Sequence, residues 1–205
     1  METEQSKING LVLAGGKSKR MGRDKSSIQW HGKEQQYYIA DLLKPLCDEV
    51  YISHRQGQEA EPNTNYKTLT DSYTGIGPYA GILSAFNFNP KASWLVVACD
   101  LPLLDNHTLK YLLANRNINA IATTFKSPFD GLPEPLITIW EPKSQEVLLS
   151  FLSNGYTCPR KVLIKSENVH ILLPPDGDAL MNVNTPEDFA KAEKIIQKHQ
   201  VHNAG

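Results

Sequence analysis

Five basic residues fall within nine positions near the start of the chain, directly after a pair of glycines. The pair is Gly15-Gly16, and the basic residues are Lys17, Lys19, Arg20, Arg23 and Lys25. Backbone N–H groups exposed by glycine, together with Lys and Arg side chains, form a concave site that suits a polyphosphate anion. This segment therefore predicts a nucleotide-binding site.

The spacing of this segment excludes two common phosphate-binding loops. The Rossmann fingerprint needs G-x-G-x-x-G, which is not found around the glycine pair. A Walker A loop ending at Gly16-Lys17-Ser18 would need glycine at the position of Leu11. Glycine still allows close backbone approach here, and Lys25 is a compact charge able to reach one phosphate. Taken alone, the same residues also fit a tight turn beside a solvated basic face.

Two aspartates stand where a ligand would meet a parallel sheet. Asp100 follows the continuously apolar run Leu95 to Cys99, and a carboxylate at the end of a central strand faces the crevice where open α/β sheets bind ligands. Mg²⁺ binds one or two carboxylates together with substrate phosphates, so Asp100 is the predicted metal ligand. Asp71 precedes a glycine-rich loop that leads through Gly81 into a helix. An ordinary turn residue is the alternative for Asp71.

A third polar pair lies near the end of the chain. Asn182 and Asn184 are two positions apart and share a face if the segment is extended. They predict either a second metal contact or amides that satisfy the loop backbone. Thr185 followed by Pro186 and Asp188 is typical of a helix start, because it places a cap, a first-turn proline and a first-turn acid in order.

Alternating strands and helices would position these groups. Apolar, β-branched runs predict strands near 8–14, 49–53, 93–99, 118–124 and 168–173. Helical periodicity predicts helices near 33–46, 79–88, 105–115, 142–154 and 186–198. The alternation predicts an α/β fold with a mainly parallel sheet flanked by helices. A chain of 205 residues favours one domain over 1–205.

Composition narrows the class of protein further. The formal net charge of −1 excludes a global field that would attract nucleic acid or anionic lipid. Three scattered cysteines argue against a disulfide framework and favour a reducing cytoplasm. We expect no membrane association, since no run of about 18 apolar residues occurs.

The segment from Leu13 to Lys25, L-A-G-G-K-S-K-R-M-G-R-D-K, resembles the signature loop of the MobA-like nucleotidyltransferases, most closely that of the molybdenum cofactor guanylyltransferases. The similarity extends to the segments 71–81, 98–102 and 182–187. Two positions depart from the family: Tyr79 stands where leucine is usual, and His54 stands where asparagine is usual.

The resemblance implies a Rossmann-like fold of the nucleotide-diphospho-sugar transferase type. It implies transfer of GMP from GTP to molybdopterin, with Mg²⁺ as cofactor and pyrophosphate as the second product. Molybdoenzymes or cofactor-handling proteins are the implied protein partners. Lys25 and Asp100 would be the catalytic residues, with Asp100 as metal ligand. The implied nucleotide- and cofactor-binding residues are Leu13, Ala14, Gly15, Gly16, Arg20, Lys25, Asp71, Gly81, Asp100, Asn182 and Asn184.

Two other functions fit the same residues. One is a sister transferase that uses CTP on molybdopterin or on a sugar or polyol phosphate. The other is a non-catalytic nucleotide-binding protein, against which the presence of both Lys25 and Asp100 argues.

Overall fold

The described residues form one mixed sheet with helices on both faces. The structure is a computed structural model that describes residues 7–14, 28–57 and 65–203. The strands are β1 (Ile8–Leu13), β2 (Glu49–His54), β3 (Lys67–Thr70), β4 (Ser93–Ala98), β5 (Ala122–Lys126), β6 (Pro133–Trp140) and β7 (Val169–Leu172). The helices are α1 (Gln35–Leu43), α2 (Pro78–Phe88), α3 (Asn106–Ala114), α4 (Ser144–Ser153), α5 (Pro159–Lys165) and α6 (Pro186–Asn203).

The strands are ordered β3-β2-β1-β4-β6-β5-β7 across the sheet. The neighbours β3, β2, β1 and β4 are parallel, and β7 is parallel to β5. Only β6, among the described strands, runs against its neighbours β4 and β5. The predicted mainly parallel α/β sheet is therefore confirmed.

Both faces of the sheet are covered, which explains the continuous apolar run in β4. Leu95 and Val97 pack in a cluster with residues of α1 and α3, whereas Trp94 and Val96 pack in a second cluster with residues of α2, α4 and α5. All six residues of β4 are buried. A strand buried on both faces loses the alternation of polar and apolar residues that marks a half-exposed strand.

The sequence-based prediction missed three elements: β3, β6 and α5. The strand predicted near 118–124 begins later, at Ala122, because residues 117–120 form a turn closed by a hydrogen bond from the N–H of Ala120 to the carbonyl of Asn117, 3.0 Å. The prediction missed β6 because this strand begins with Pro133 and Pro135, and prolines are typical of loops. Both prolines precede the stretch from Ile137 to Trp140 that pairs with β4, so their missing N–H groups cost that ladder nothing.

A third apolar cluster packs the last helix against loop residues that include Trp30 and Leu103. It is centred on Met181, Val183 and Ala192, and Trp30 packs against Phe189 with ring centroids 4.3 Å apart. Among the described residues, no helix combines the length and apolar character needed to cross a bilayer.

Candidate active site

The carboxyl ends of four parallel strands meet at one edge of the sheet. In the strand order, β2 and β3 lie on one side of β1 and β4 lies on the other. The connections therefore diverge between β1 and β4, and such a switch point opens a crevice at the carboxyl ends of the two strands. Leu13 and Ala14 lie at the end of β1, and Asp100 lies just beyond the end of β4.

The two predicted aspartates lie at this same edge, after different strands. Asp71 follows β3 and Asp100 follows β4, with β2 and β1 between them in the sheet. Neighbouring strands lie about 4.8 Å apart, so three steps separate the two strand ends by roughly 14 Å. This span suits a nucleotide whose base lies near Asp71 and whose phosphates lie near Asp100.

On the Asp71 side, residues from two strands and one helix lie close to the carboxylate. The Ser53 Oγ donates a hydrogen bond to Oδ1 of Asp71 at 2.5 Å, and both residues are buried. A Cβ atom on Gly81 would lie 2.6 Å from Cδ2 of Leu13 and 2.8 Å from Oγ of Ser53. Helix α2 therefore lies close to Leu13 of β1 and Ser53 of β2, and a side chain at position 81 would require these two side chains to shift.

The ionisation of Asp71 is set by opposing effects. Burial raises the pKa of its carboxyl above the ordinary value, while the Ser53 hydrogen bond and the charge of Arg55 lower the pKa. The effect of burial dominates, so the pKa of Asp71 is raised.

Tyr79, the departure from leucine, belongs to the core. Its ring is fully buried in the cluster of α2 and α4, and its hydroxyl donates to the carbonyl of Leu148 at 2.8 Å. Burial raises the pKa of this phenol. The hydroxyl therefore has a structural partner on α4, away from the strand ends that carry Asp71 and Asp100.

On the Asp100 side, two distant segments, one near residue 183 and one at residues 31–35, hold the loop that carries the carboxylate. The N–H of Val183 donates to the carbonyl of Asp100 at 2.9 Å, which brings Asn182 and Asn184 beside it. Gln35 Nε2 donates to the carbonyl of Leu101 at 3.2 Å. His31 Nε2 lies 2.8 Å from the carbonyl of Pro102. The backbone that carries Asp100 is thus held by contacts from outside its own strand.

The start of α6 follows the predicted pattern. Asp188 Oδ2 accepts hydrogen bonds from the N–H groups of Asn184 and Thr185, each at 3.0 Å, and Thr185 Oγ1 accepts from the N–H of Asp188 at 3.1 Å. This reciprocal arrangement fixes the backbone of Asn184. Asn184 is exposed and Asn182 is half-buried, so both lie at or near the surface of this loop.

The structure thus brings Leu13, Asp71 and Gly81 together, and separately brings Asp100 beside Asn182 and Asn184. Ala14 is buried at the end of β1. The predicted residues Gly15, Gly16, Arg20 and Lys25 lie outside the described residues. Sequence reasoning did not identify Ser53, Gln35 or His31. The signal for Ser53 was a small polar residue at the end of an apolar strand.

Comparison with known proteins identifies relatives over most of the chain. Residues 10–169 match the model of the MobA-like NTP transferase domain. A molybdenum cofactor biosynthesis bifunctional protein from Synechocystis sp. is 34% identical over 93% of this chain, and the chain spans 55% of that protein. A molybdenum cofactor guanylyltransferase from Shewanella baltica is 31% identical over 94% of this chain and is covered over 99% of its own length.

Solved structures share the fold. Molybdopterin-guanine dinucleotide biosynthesis protein A from Archaeoglobus fulgidus superimposes with a TM-score of 0.77 at 23% identity, covering 93% of this chain and 99% of that one. The 2-C-methyl-D-erythritol 4-phosphate cytidylyltransferase from Thermus thermophilus gives 0.67 at 14% identity, with coverage of 93% and 99%. The fold is that of these nucleotidyltransferases, as predicted. On the match of the domain model and the identity to its relatives, the chain belongs to the MobA-like NTP transferase family.

Proposed function

We propose that this chain is a molybdenum cofactor guanylyltransferase, which transfers GMP from GTP to molybdopterin and releases pyrophosphate. The observation that carries the proposal is the shared sheet edge, where Asp71 and Asp100 follow strands three places apart. It is supported by the names of relatives such as the Shewanella baltica guanylyltransferase, 31% identical over nearly their whole length.

In the proposed reaction, an oxygen of the terminal phosphate of molybdopterin attacks the α-phosphorus of GTP. A new P–O bond forms as the bond from the α-phosphorus to the bridging oxygen of the β-phosphate breaks, and pyrophosphate leaves with that electron pair. Because the acceptor phosphate is already ionised, no general base is required. The chain has to position two anions and stabilise the charge that develops on the leaving group.

The chain's residues divide this work. Asp71 accepts hydrogen bonds from the donor edge of the base, and Gly81 lets α2 lie close to that position. Arg20 and Lys25 neutralise the phosphates, with Lys25 contributing most as the leaving group develops charge. Leu13, Ala14, Gly15 and Gly16 form the backbone that approaches the nucleotide. Asn182 and Asn184 lie on the acceptor side, beside Asp100.

Asp100 fits a Mg²⁺ ligand by its chemistry and position. The residue is half-buried and follows β4, one of the two strands at the switch point, and Mg²⁺ prefers oxygen ligands. Within the described part of the chain, no three His, Cys, Asp or Glu side chains cluster as a metal site. Mg²⁺ commonly uses one or two carboxylates and completes its shell with phosphates and water, so one aspartate is sufficient. When bound, the ion would offset negative charge on the triphosphate.

The proposed setting is the cytoplasm, with molybdoenzymes or cofactor-handling proteins receiving the product. The three cysteines, Cys47, Cys99 and Cys158, are scattered along the sequence, which argues against a disulfide framework and suits a reducing compartment.

The test is pyrophosphate release with GTP, CTP and UTP in turn, in Mg²⁺, with and without molybdopterin. We expect release only with GTP and molybdopterin together. Preference for CTP would identify a cytidylyltransferase instead. Nucleotide binding without pyrophosphate release in the presence of acceptor would favour a non-catalytic protein.

A further inference from the structure

Ser53 directs its hydroxyl at a carboxylate that the proposed function assigns to the nucleotide. The residue lies next to last in β2 and is 2% exposed. Its Oγ donates to Oδ1 of Asp71, which is itself 5% exposed. A hydroxyl that donates to a carboxylate makes a short hydrogen bond, about twice as strong as one between neutral groups.

The backbone around Asp71 is fixed independently of Ser53. The N–H of Asp71 donates to the carbonyl of His54 at 2.8 Å. The N–H of Ser72 donates to Oγ of Ser84 at 2.7 Å, and that hydroxyl in turn donates to the carbonyl of Ala80 at 2.7 Å. With the main chain held on both sides, the rotation of the Asp71 side chain is the freedom that remains, and the Ser53 hydroxyl restrains it.

Helix α2 encloses this pair. The absent Cβ of Gly81 would lie 2.8 Å from Oγ of Ser53 and 3.5 Å from Oδ1 of Asp71. A buried hydroxyl in such a confined place is costly unless it is hydrogen-bonded, and Asp71 is the partner to which it donates.

We propose that Ser53 is a positioning residue for base recognition, which holds Asp71 as an oriented, ionised acceptor. The inference rests on the proposed function, in which Asp71 meets the base of GTP. Guanine presents two adjacent donors, N1–H and the exocyclic N2–H₂, and an ionised carboxylate is an acceptor only. Cytosine presents a ring acceptor beside its amino group, which an ionised carboxylate repels.

The charge balance at Asp71 agrees with this role. Burial raises the pKa of Asp71, and the Ser53 hydrogen bond and the Arg55 charge oppose that rise. Among the described residues, Arg55, which follows β2, is the charged group that lowers the pKa of this carboxyl, while Gly81 of α2 and Leu13 of β1 contribute uncharged groups. Without the Ser53 hydrogen bond, the pKa of Asp71 would rise further, and the carboxyl would take up a proton at a higher pH. A protonated carboxyl carries an O–H donor, which would face the N–H donors of guanine instead of accepting from them.

The test compares Ser53→Ala with Ser93→Ala. Ser93 is also a fully buried serine that donates to a carboxylate, Oε2 of Glu141 at 2.7 Å, but it lies at the first residue of β4, at the opposite edge of the sheet. Ser93→Ala also removes the hydrogen bond that Ser93 Oγ accepts from Arg116 Nη2 at 2.6 Å, so it should lose at least as much stability as Ser53→Ala. We expect Ser53→Ala to raise Kd and KM for GTP about tenfold, with kcat within about twofold. Ser93→Ala should change none of the three.

The pH dependence of GTP affinity distinguishes a positioning role of Ser53 from a general loss of stability. In Ser53→Ala, the pH below which GTP affinity is lost should move upward, whereas in Ser93→Ala it should stay at the wild-type value. Ser53→Cys, which keeps a weaker donor, should give intermediate affinity and serves if the alanine variant does not fold.

The possible failures are distinguishable. Wild-type GTP affinity and an unmoved pH profile in a folded Ser53→Ala would overturn the inference and leave the proposed function standing. Preference of the wild-type protein for CTP over GTP would overturn the proposed function, and the donor-edge role of Ser53 with it.

Discussion

At the scale of single residues, Asp100 is the carboxylate with the most consequence for turnover. Asp100→Ala should abolish Mg²⁺-dependent pyrophosphate release, because a ligand between the chain and the triphosphate is lost. The fold should persist, since the loop is held through the backbone carbonyls of Asp100, Leu101 and Pro102 rather than through this side chain alone. Full activity in the variant would refute the metal assignment.

Asp105 is the matched carboxylate control for that experiment. Its side chain caps α3 by accepting from the N–H of Thr108 at 2.8 Å. Asp105→Ala should lower the free energy of unfolding by about 1 kcal/mol, as loss of a helix cap does, and leave kcat and KM unchanged. Denaturant unfolding and steady-state kinetics on both variants would check that Asp100→Ala loses turnover and keeps the fold, whereas Asp105→Ala loses stability and keeps its turnover.

Lys25 carries a second prediction at this scale, argued from the sequence. Lys25→Ala should lower kcat by about 10² to 10³, the usual effect of removing one group that stabilises developing charge. Lys19→Ala, in the same basic segment, should change kcat little. Equal effects of the two substitutions in single-turnover pyrophosphate release would mean that only the total charge of the segment matters.

At the scale of elements, α2 is placed by a glycine. Gly81→Ala brings a methyl group within 2.6 Å of Leu13 and 2.8 Å of Ser53. Alanine gains about 1 kcal/mol of helix propensity, but overpacking costs about 1 to 3 kcal/mol, so the variant should be no more stable than wild type. Its KM for GTP should rise, because the side chains of Leu13 and Ser53 must shift and Ser53 is the hydrogen-bond donor to Asp71.

Asn87→Ala is the control on the same helix. The residue is exposed and loses only one exposed hydrogen bond, from its Nδ2 to Tyr73 Oη at 3.2 Å, so the substitution should change the free energy of unfolding by less than about 0.5 kcal/mol. A Gly81→Ala protein with raised melting temperature and unchanged KM would show that α2 has room to shift.

Elements differed in how well the sequence predicted them. β1, β2 and β4 were predicted because they are apolar runs that end at polar or glycine residues. β3 (Lys67–Thr70) has four residues with one buried, too few to show a period, and β6 begins with two prolines. Asp100 was predicted as a site residue because it follows an apolar strand, and Asp71 because it precedes a glycine-rich loop. Ser53 was not, since its partner is 18 positions away and only the parallel pairing of β2 with β3 brings them together.

At the scale of the whole molecule, the opposite edge of the sheet holds a buried ion pair. Arg116 Nε lies 2.7 Å from Oε1 of Glu141, and Arg116 Nη2 donates to Ser93 Oγ at 2.6 Å. The Glu141 side chain is 2% exposed. This cluster joins the start of β4 to the residue after β6. It therefore stabilises the antiparallel pairing of β4 with β6 at the end of the sheet that lies opposite the crevice.

Glu141→Ala should therefore separate stability from catalysis. Removing one partner of a buried pair leaves an uncompensated charge, so the free energy of unfolding should fall by about 3 kcal/mol. KM for GTP should not change in the folded protein. Glu167→Ala, at an exposed loop position, is the control and should be near neutral. Calorimetry would measure the loss of stability, and steady-state kinetics would measure KM. A changed KM in folded Glu141→Ala would mean that the opposite edge of the sheet is coupled to the crevice.

The hydrogen bond from Val183 to Asp100 has a consequence for biosynthesis. Every strand that forms the crevice is made in the first half of the chain, yet the segment that donates to Asp100 is made near its end. During translation, these four strands therefore leave the ribosome before Val183 has been made. The loop that carries Asp100 gains this hydrogen bond only when synthesis is nearly complete.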